Sequence, residues 1–77
     1  MKPTYSRRAA KAISRISNPF KKNIKEAIEN LPAGDVKKLQ GQKNAYRLRV
    51  GDYRILFDMN EIIEITDILP RGVAYNN

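Results

Sequence analysis

The sequence contains no cysteine and no histidine. Without cysteine there is no disulfide and no thiolate metal site. That fits a reducing compartment, although many secreted proteins also lack cysteine. Without histidine the chain has neither the usual zinc ligand nor the side chain best suited to moving protons near neutral pH. No apolar run approaches the ~20 residues that span a bilayer. The opening stretch MKPTYSRRAAKA carries charge but no apolar segment, so it does not read as a signal peptide. These absences argue against a disulfide scaffold, a Cys/His metal centre and a transmembrane helix. The expectation is a cytoplasmic protein with no membrane partner, no metal and no cofactor.

Acidic residues are scarce as well. Eight Asp and Glu stand against 15 Lys and Arg, a formal net charge of +7 on 77 residues. Such an excess on a short chain points to an anionic partner: a nucleic acid, an acidic protein or, less readily, a membrane surface. The plainer reading is a basic surface that serves solubility alone. The length suits one domain, residues 1–77, with a single small core.

The pattern along the chain changes period once. Residues 1–5 can form a very short strand. Ser6 suits the N-cap of a helix over about 7–16, with Ala9, Ala12, Ile13 and Ile16 on one face. Asn18 suits the cap of a second helix with Pro19 at its first position. The buried stripe of that helix would be Phe20, Ile24, Ala27, Ile28 and Leu31, ending at LPAGD. The two helices read as an antiparallel hairpin. From Val36 the turn-rich VKKLQGQKN holds at most a partial strand. Then Tyr46, Leu48 and Val50 alternate with arginines, as do Tyr53, Ile55 and Phe57 with Arg54, Leu56 and Asp58. Ile62 to Leu69 reads as a third strand broken by Pro70. Helices followed by an antiparallel meander predict an α+β domain, with the helical hairpin packed on one face of a small antiparallel sheet.

The stretch AYRLRVGDYRIL concentrates the basic charge. If Gly51-Asp52 is a two-residue turn, Val50 pairs with Tyr53 and Arg49 with Arg54. Arg49 and Arg54 then sit side by side on the face away from the helices, with Arg47 two residues further along. Like charges directly opposed across strands destabilise a sheet. An anion between them would compensate, and guanidinium groups grip phosphate bidentately. The alternative is a solvated face, or ion pairs to Glu64 or Asp67 on the next strand, which would contribute little.

YRLRVGDYRILF, preceded by LQG and followed by an isoleucine strand ending in LPR, resembles the core of the RelE/ParE superfamily of toxins from toxin–antitoxin pairs. YSRRAAKAISRI resembles that family's entry into its helical hairpin. The resemblance implies the fold just described and two kinds of activity. RelE-like members enter the ribosomal A site and cleave mRNA, inhibiting translation. ParE-like members poison DNA gyrase and are not nucleases. Both are neutralised by an acidic antitoxin, and a toxin–antitoxin heterotetramer is one assembly this allows. The short helices and chain length look more like the RelE branch. A degenerate, inactive member that still binds its antitoxin is the third reading.

By the same resemblance, Arg47 and Arg49 stand where several family nucleases have lysine. Arg54 matches the arginine after the hairpin turn, Arg71 the arginine after the last strand, and Tyr75 the C-terminal tyrosine. Cleavage of RNA by its own 2′-OH needs a base, donors for the phosphate charge and an acid for the leaving oxygen. Arginine can supply the donors but does not deprotonate in proteins. The resulting assignment puts Arg49, Arg54 and Arg71 on the phosphate, Tyr75 at proton transfer or base stacking, and Arg47 at backbone positioning. Tyr75 also reads as a loose terminal aromatic. Lys37, Lys38 and Lys43 are candidates for contact with ribosomal RNA, or for a solvated loop. Tyr46 and Tyr53 read as core. Arg7, Arg8, Lys11 and Arg15 read as the wet face of the first helix. The sheet edge left by a short first strand is a candidate dock for an antitoxin strand.

Overall fold

The computed structural model describes residues 2–70 and 72. Along the chain come β1 (Thr4–Tyr5), α1 (Arg7–Ser14), α2 (Phe20–Glu29), β2 (Asp35–Lys38), β3 (Ala45–Val50), β4 (Tyr53–Met59) and β5 (Ile63–Pro70). The strands form one sheet in the order β1-β5-β4-β3-β2. Strands β2 to β5 are successive antiparallel neighbours, the meander expected from the alternation. β1 pairs parallel with β5, so the sheet is mixed rather than antiparallel. The partial strand expected near Val36 is β2, and it forms one edge.

Ser6 explains why β1 is so short. Its N–H donates to the Ile65 carbonyl at 2.8 Å and its hydroxyl donates to the Thr66 carbonyl at 3.0 Å. The same hydroxyl accepts from the Ala9 N–H at 3.0 Å, the N-cap expected from the sequence. One side chain therefore ends a strand and starts a helix. α1 stops at Ser14, short of the expected 7–16. The Arg15 N–H bonds back to the Ala12 carbonyl and the Ile16 N–H to the Ile13 carbonyl, both at 3.2 Å, which tightens the last turn and closes the helix.

α2 departs from expectation at its start. Pro19, not Asn18, occupies the N-cap position, and no side chain caps the helix. The Asn18–Pro19 and Leu31–Pro32 peptide bonds are cis. Phe20, read as part of the buried stripe, is 51% exposed. It lies at the first turn, past the end of the core, and its ring meets the Tyr53 ring, with centroids 6.1 Å apart. Ile24 and Ile28 are buried as expected.

α1 lies against β5 and α2 against β3. Ala9, Ile13, Ile24, Ile28 and Leu31 join Leu48, Ile55, Phe57 and the isoleucines of β5 in one core cluster. No polar or charged residue is buried among the described residues. Each fully buried isoleucine contributes roughly 1.5–3 kcal/mol relative to exposure. β5 starts one residue later than expected, because Ile62 lies in the preceding turn and is 58% exposed. β5 also holds a bulge. Phe57 pairs with Ile65 and Leu56 with Asp67, leaving Thr66 as the extra residue. The Thr66 hydroxyl donates to the Leu56 carbonyl at 3.1 Å and stabilises the bulge. The extra residue resets the alternation, so Ile63, Ile65 and Ile68 all reach the core.

Candidate functional site

The β3–β4 hairpin carries the candidate site on the sheet face away from the helices. The turn is Gly51-Asp52, with Gly51 at φ +55°, a left-handed conformation that glycine adopts without strain. The register is Val50 opposite Tyr53 and Arg49 opposite Arg54. Alternation then fixes the faces. Leu48, Ile55 and Phe57 enter the core, with Tyr46, Val50 and Tyr53 packed partly against it. Arg47, Arg49, Arg54 and Leu56 take the other face. Tyr46 stacks on Phe57 with centroids 5.5 Å apart, so both expected core tyrosines belong to the packing.

Arg49 is exposed and Arg54 half-buried. Among the described residues neither has an ion pair or a hydrogen bond. Arg47 is different. Its side chain is only 15% exposed, and its Nη1 lies 3.8 Å from Oδ1 of Asp35. The acid therefore comes from β2, not from Glu64 or Asp67. Asp67 turns instead to α1: its Oδ2 is 3.7 Å from Nη1 of Arg8, and its Oδ1 accepts from the Ile68 N–H at 2.8 Å. One carboxylate against three arginines leaves the hairpin end of this face strongly positive.

The lysines divide. Lys37 is opposite Arg47 and shares its face, whereas Lys38 is opposite Tyr46 and belongs to the other face. Lys43 is exposed in the turn before β3. Arg71 and Tyr75 lie outside the described residues. Pro70, which precedes Arg71 in the chain, pairs with Tyr53, and Leu69 pairs with Arg54.

Two features escaped sequence reasoning. Asp35 stands opposite Arg49 in the β2–β3 register and reaches diagonally to Arg47, a contact that only the fold reveals. The far end of the same face is acidic, with Asp58 opposite Glu64. The face thus runs from cation against cation at the Gly51 turn to carboxylate against carboxylate near the next turn. Such a gradient favours an anion at the hairpin end and gives it a direction.

Chemically, the arginine end can hold and polarise a phosphate. Its arginines do not deprotonate in proteins, so they can serve as donors but not as a base. Among the described residues no set of three His, Cys, Asp or Glu is placed to hold a metal ion. Tyr5 on β1 has its phenol pushed above the ordinary value near 10, first by burial and then by the charge of Glu29. It packs against the core and serves the structure.

A family model for the ParE toxin of type II toxin–antitoxin systems matches residues 4–75. The chain belongs to this toxin family. The toxin is 32% identical over 85 residues to Toxin RelE3 of Methanocaldococcus jannaschii, covering 99% of this chain and 97% of that protein. Two solved structures share its fold. The RelB–RelE antitoxin–toxin complex from Methanococcus jannaschii superposes with a TM-score of 0.75 at 30% identity, over 87% of this chain and 88% of that one. The archaeal RelE–RelB complex from Pyrococcus horikoshii OT3 gives 0.74 at 27% identity, over 95% and 97%. Among the described residues of the toxin, no helix is long and apolar enough to cross a membrane.

Proposed function

We propose that this toxin is a ribosome-dependent mRNA endonuclease that inhibits translation and is silenced by an acidic antitoxin. The observation that carries the reading is the Arg49–Arg54 pair, two cations directly opposed and without a partner among the described residues. A phosphate between them turns a repulsive pair into a bidentate clamp. Attack by the RNA 2′-OH builds negative charge on that phosphate, and donors already in place stabilise it most. Arg47, held by Asp35, positions the neighbouring backbone, with Lys37 beside it. Arg71 completes the phosphate grip and Tyr75 moves the proton or stacks on a base. The near-full-length likeness to Toxin RelE3 supports the nuclease branch.

The antitoxin follows from the two related structures, each a complex of toxin with antitoxin. Neutralisation would come from carboxylates covering the arginine face. β1 pairs with Glu64 and Ile65 alone, and an added strand at that edge of β5 would have to displace the Ser6 hydroxyl from the Thr66 carbonyl and Asp67 from the Ile68 N–H.

A gyrase-directed toxin is the second reading, favoured by the ParE family match and by arginine where a nuclease would use lysine. In vitro translation of a defined mRNA, with cuts mapped by primer extension, separates the two. The nuclease reading expects cuts at ribosome-occupied codons, lost in Arg54→Ala and Arg71→Ala. No cuts from folded protein, with inhibition of supercoiling by gyrase, would replace it with the second.

A further inference from the structure

We propose that α1 is a second RNA-binding element, which grips the phosphate backbone of a structured RNA while the hairpin face holds the strand to be cut. The inference rests on the RNA-directed reading above and adds a surface to it. Arg7, Arg8, Lys11 and Arg15 line an open groove of about 560 Å³ floored by Ala12 and bordered by Asp67. The helix, RRAAKAIS, contains no acid. Arg7, Lys11 and Arg15 recur every four residues and form one stripe about 12 Å long.

This arrangement disfavours the isolated helix. Like charges four apart repel, and arginines in the first turn face the positive end of the helix dipole, where carboxylates are preferred. Only Arg8 has a carboxylate partner among the described residues. The unfavourable charges are a second case of the imbalance seen at Arg49 and Arg54, and the same kind of ligand relieves both. A nucleic-acid strand presents a phosphate every few ångströms along the duplex axis, so the stripe spans several of them. A docked protein helix would need apolar anchors, and the groove offers only Ala12. Asp67 of the groove pairs with Leu56, which pairs in turn with Arg47 of the arginine face.

The test is fluorescence anisotropy of a labelled RNA hairpin titrated with the purified toxin between about 50 and 200 mM KCl. The combined variant Arg7→Ala, Lys11→Ala, Arg15→Ala should bind about tenfold more weakly at ~100 mM, with a salt slope smaller by about two to three. Arg7→Lys with Arg15→Lys should keep both. Arg49→Ala with Arg54→Ala should keep the α1 contribution to the slope. An unchanged slope in the triple variant, folded by circular dichroism, would overturn the inference. So would poly-glutamate competing as well as RNA at equal charge, which would assign the groove to an acidic protein. Loss of hairpin binding in the triple variant, with no mRNA cutting by the wild type, would uphold the groove and remove the nuclease reading.

Discussion

The two faces of this sheet obey different rules. Toward the helices, Leu48, Ile55, Phe57, Ile63, Ile65 and Ile68 pack with no buried polar or charged residue among them. Every local choice there, including the bulge at Thr66, serves burial. On the other face Arg49 lies between Arg54 on β4 and Asp35 on β2, whose carboxylate reaches Arg47, and Asp58 lies opposite Glu64. Neither like-charge pair, Arg49 with Arg54 or Asp58 with Glu64, helps the sheet to form. The first face makes the domain stable, and the second uses part of that stability to hold Arg49 and Arg54 together where an anion can satisfy them. The comparison also explains why a small chain needs so complete a core: about 60% of unfolded surface is buried at this size, which leaves little in reserve.

Substitutions can break this contrast, beginning with the largest effect. Phe57→Ala removes a ring from the centre of the covered face and should cost about 3–5 kcal/mol in urea unfolding, enough to unfold much of the population. Arg54→Ala on the open face should lower mRNA cleavage about 100-fold or more in the mapped translation assay. Its unfolding free energy should stay level or rise by up to about 1 kcal/mol, because one member of a repulsive pair is gone. Ser6→Ala should cost about 1 kcal/mol through loss of the cap, measurable as a lower urea midpoint. Asp35→Asn should change stability by less than ~1 kcal/mol, since the acid is 63% exposed, while freeing Arg47 to move. Tyr5→Phe is the mildest. The folded-state pKa of Tyr5 lies above its unfolded value, so its contribution is intact below about pH 10 and is lost as pH rises through the folded pKa. The substitution should flatten the alkaline arm of a stability–pH curve and leave neutral pH unchanged.

The covered face and the hairpin were legible because they depend on local patterns. Alternation assigned Leu48, Ile55 and Phe57 to the core, and a two-residue Gly51-Asp52 turn fixed the Arg49–Arg54 register. Ser6 was legible as a cap for the same reason. What failed to show depends on partners distant in sequence. The parallel pairing of β1 rests on Thr4 and Tyr5 meeting Glu64 and Ile65, a two-residue ladder too short to carry a periodic signal. Phe20 fitted the helical stripe but sits beyond the core's edge, which periodicity alone does not mark. The ion pairs Arg47–Asp35 and Arg8–Asp67 follow from strand order and from α1 crossing β5. One missed feature did leave a trace. Ile63, Ile65 and Ile68 break a period of two by one residue, and a bulge is what restores them to one face.

The central claim is that Arg49 and Arg54 are held together for an anion and against stability. The most direct measurement is urea unfolding of the wild type, Arg49→Ala, Arg54→Ala and the double variant, each with and without a short single-stranded oligoribonucleotide. The account predicts single variants as stable as the wild type or more so without RNA, a favourable shift on adding RNA to the wild type, and loss of that shift in every variant. Single variants less stable by more than about 1 kcal/mol, together with an RNA-induced shift that survives both substitutions, would make the pair a structural element and contradict the account.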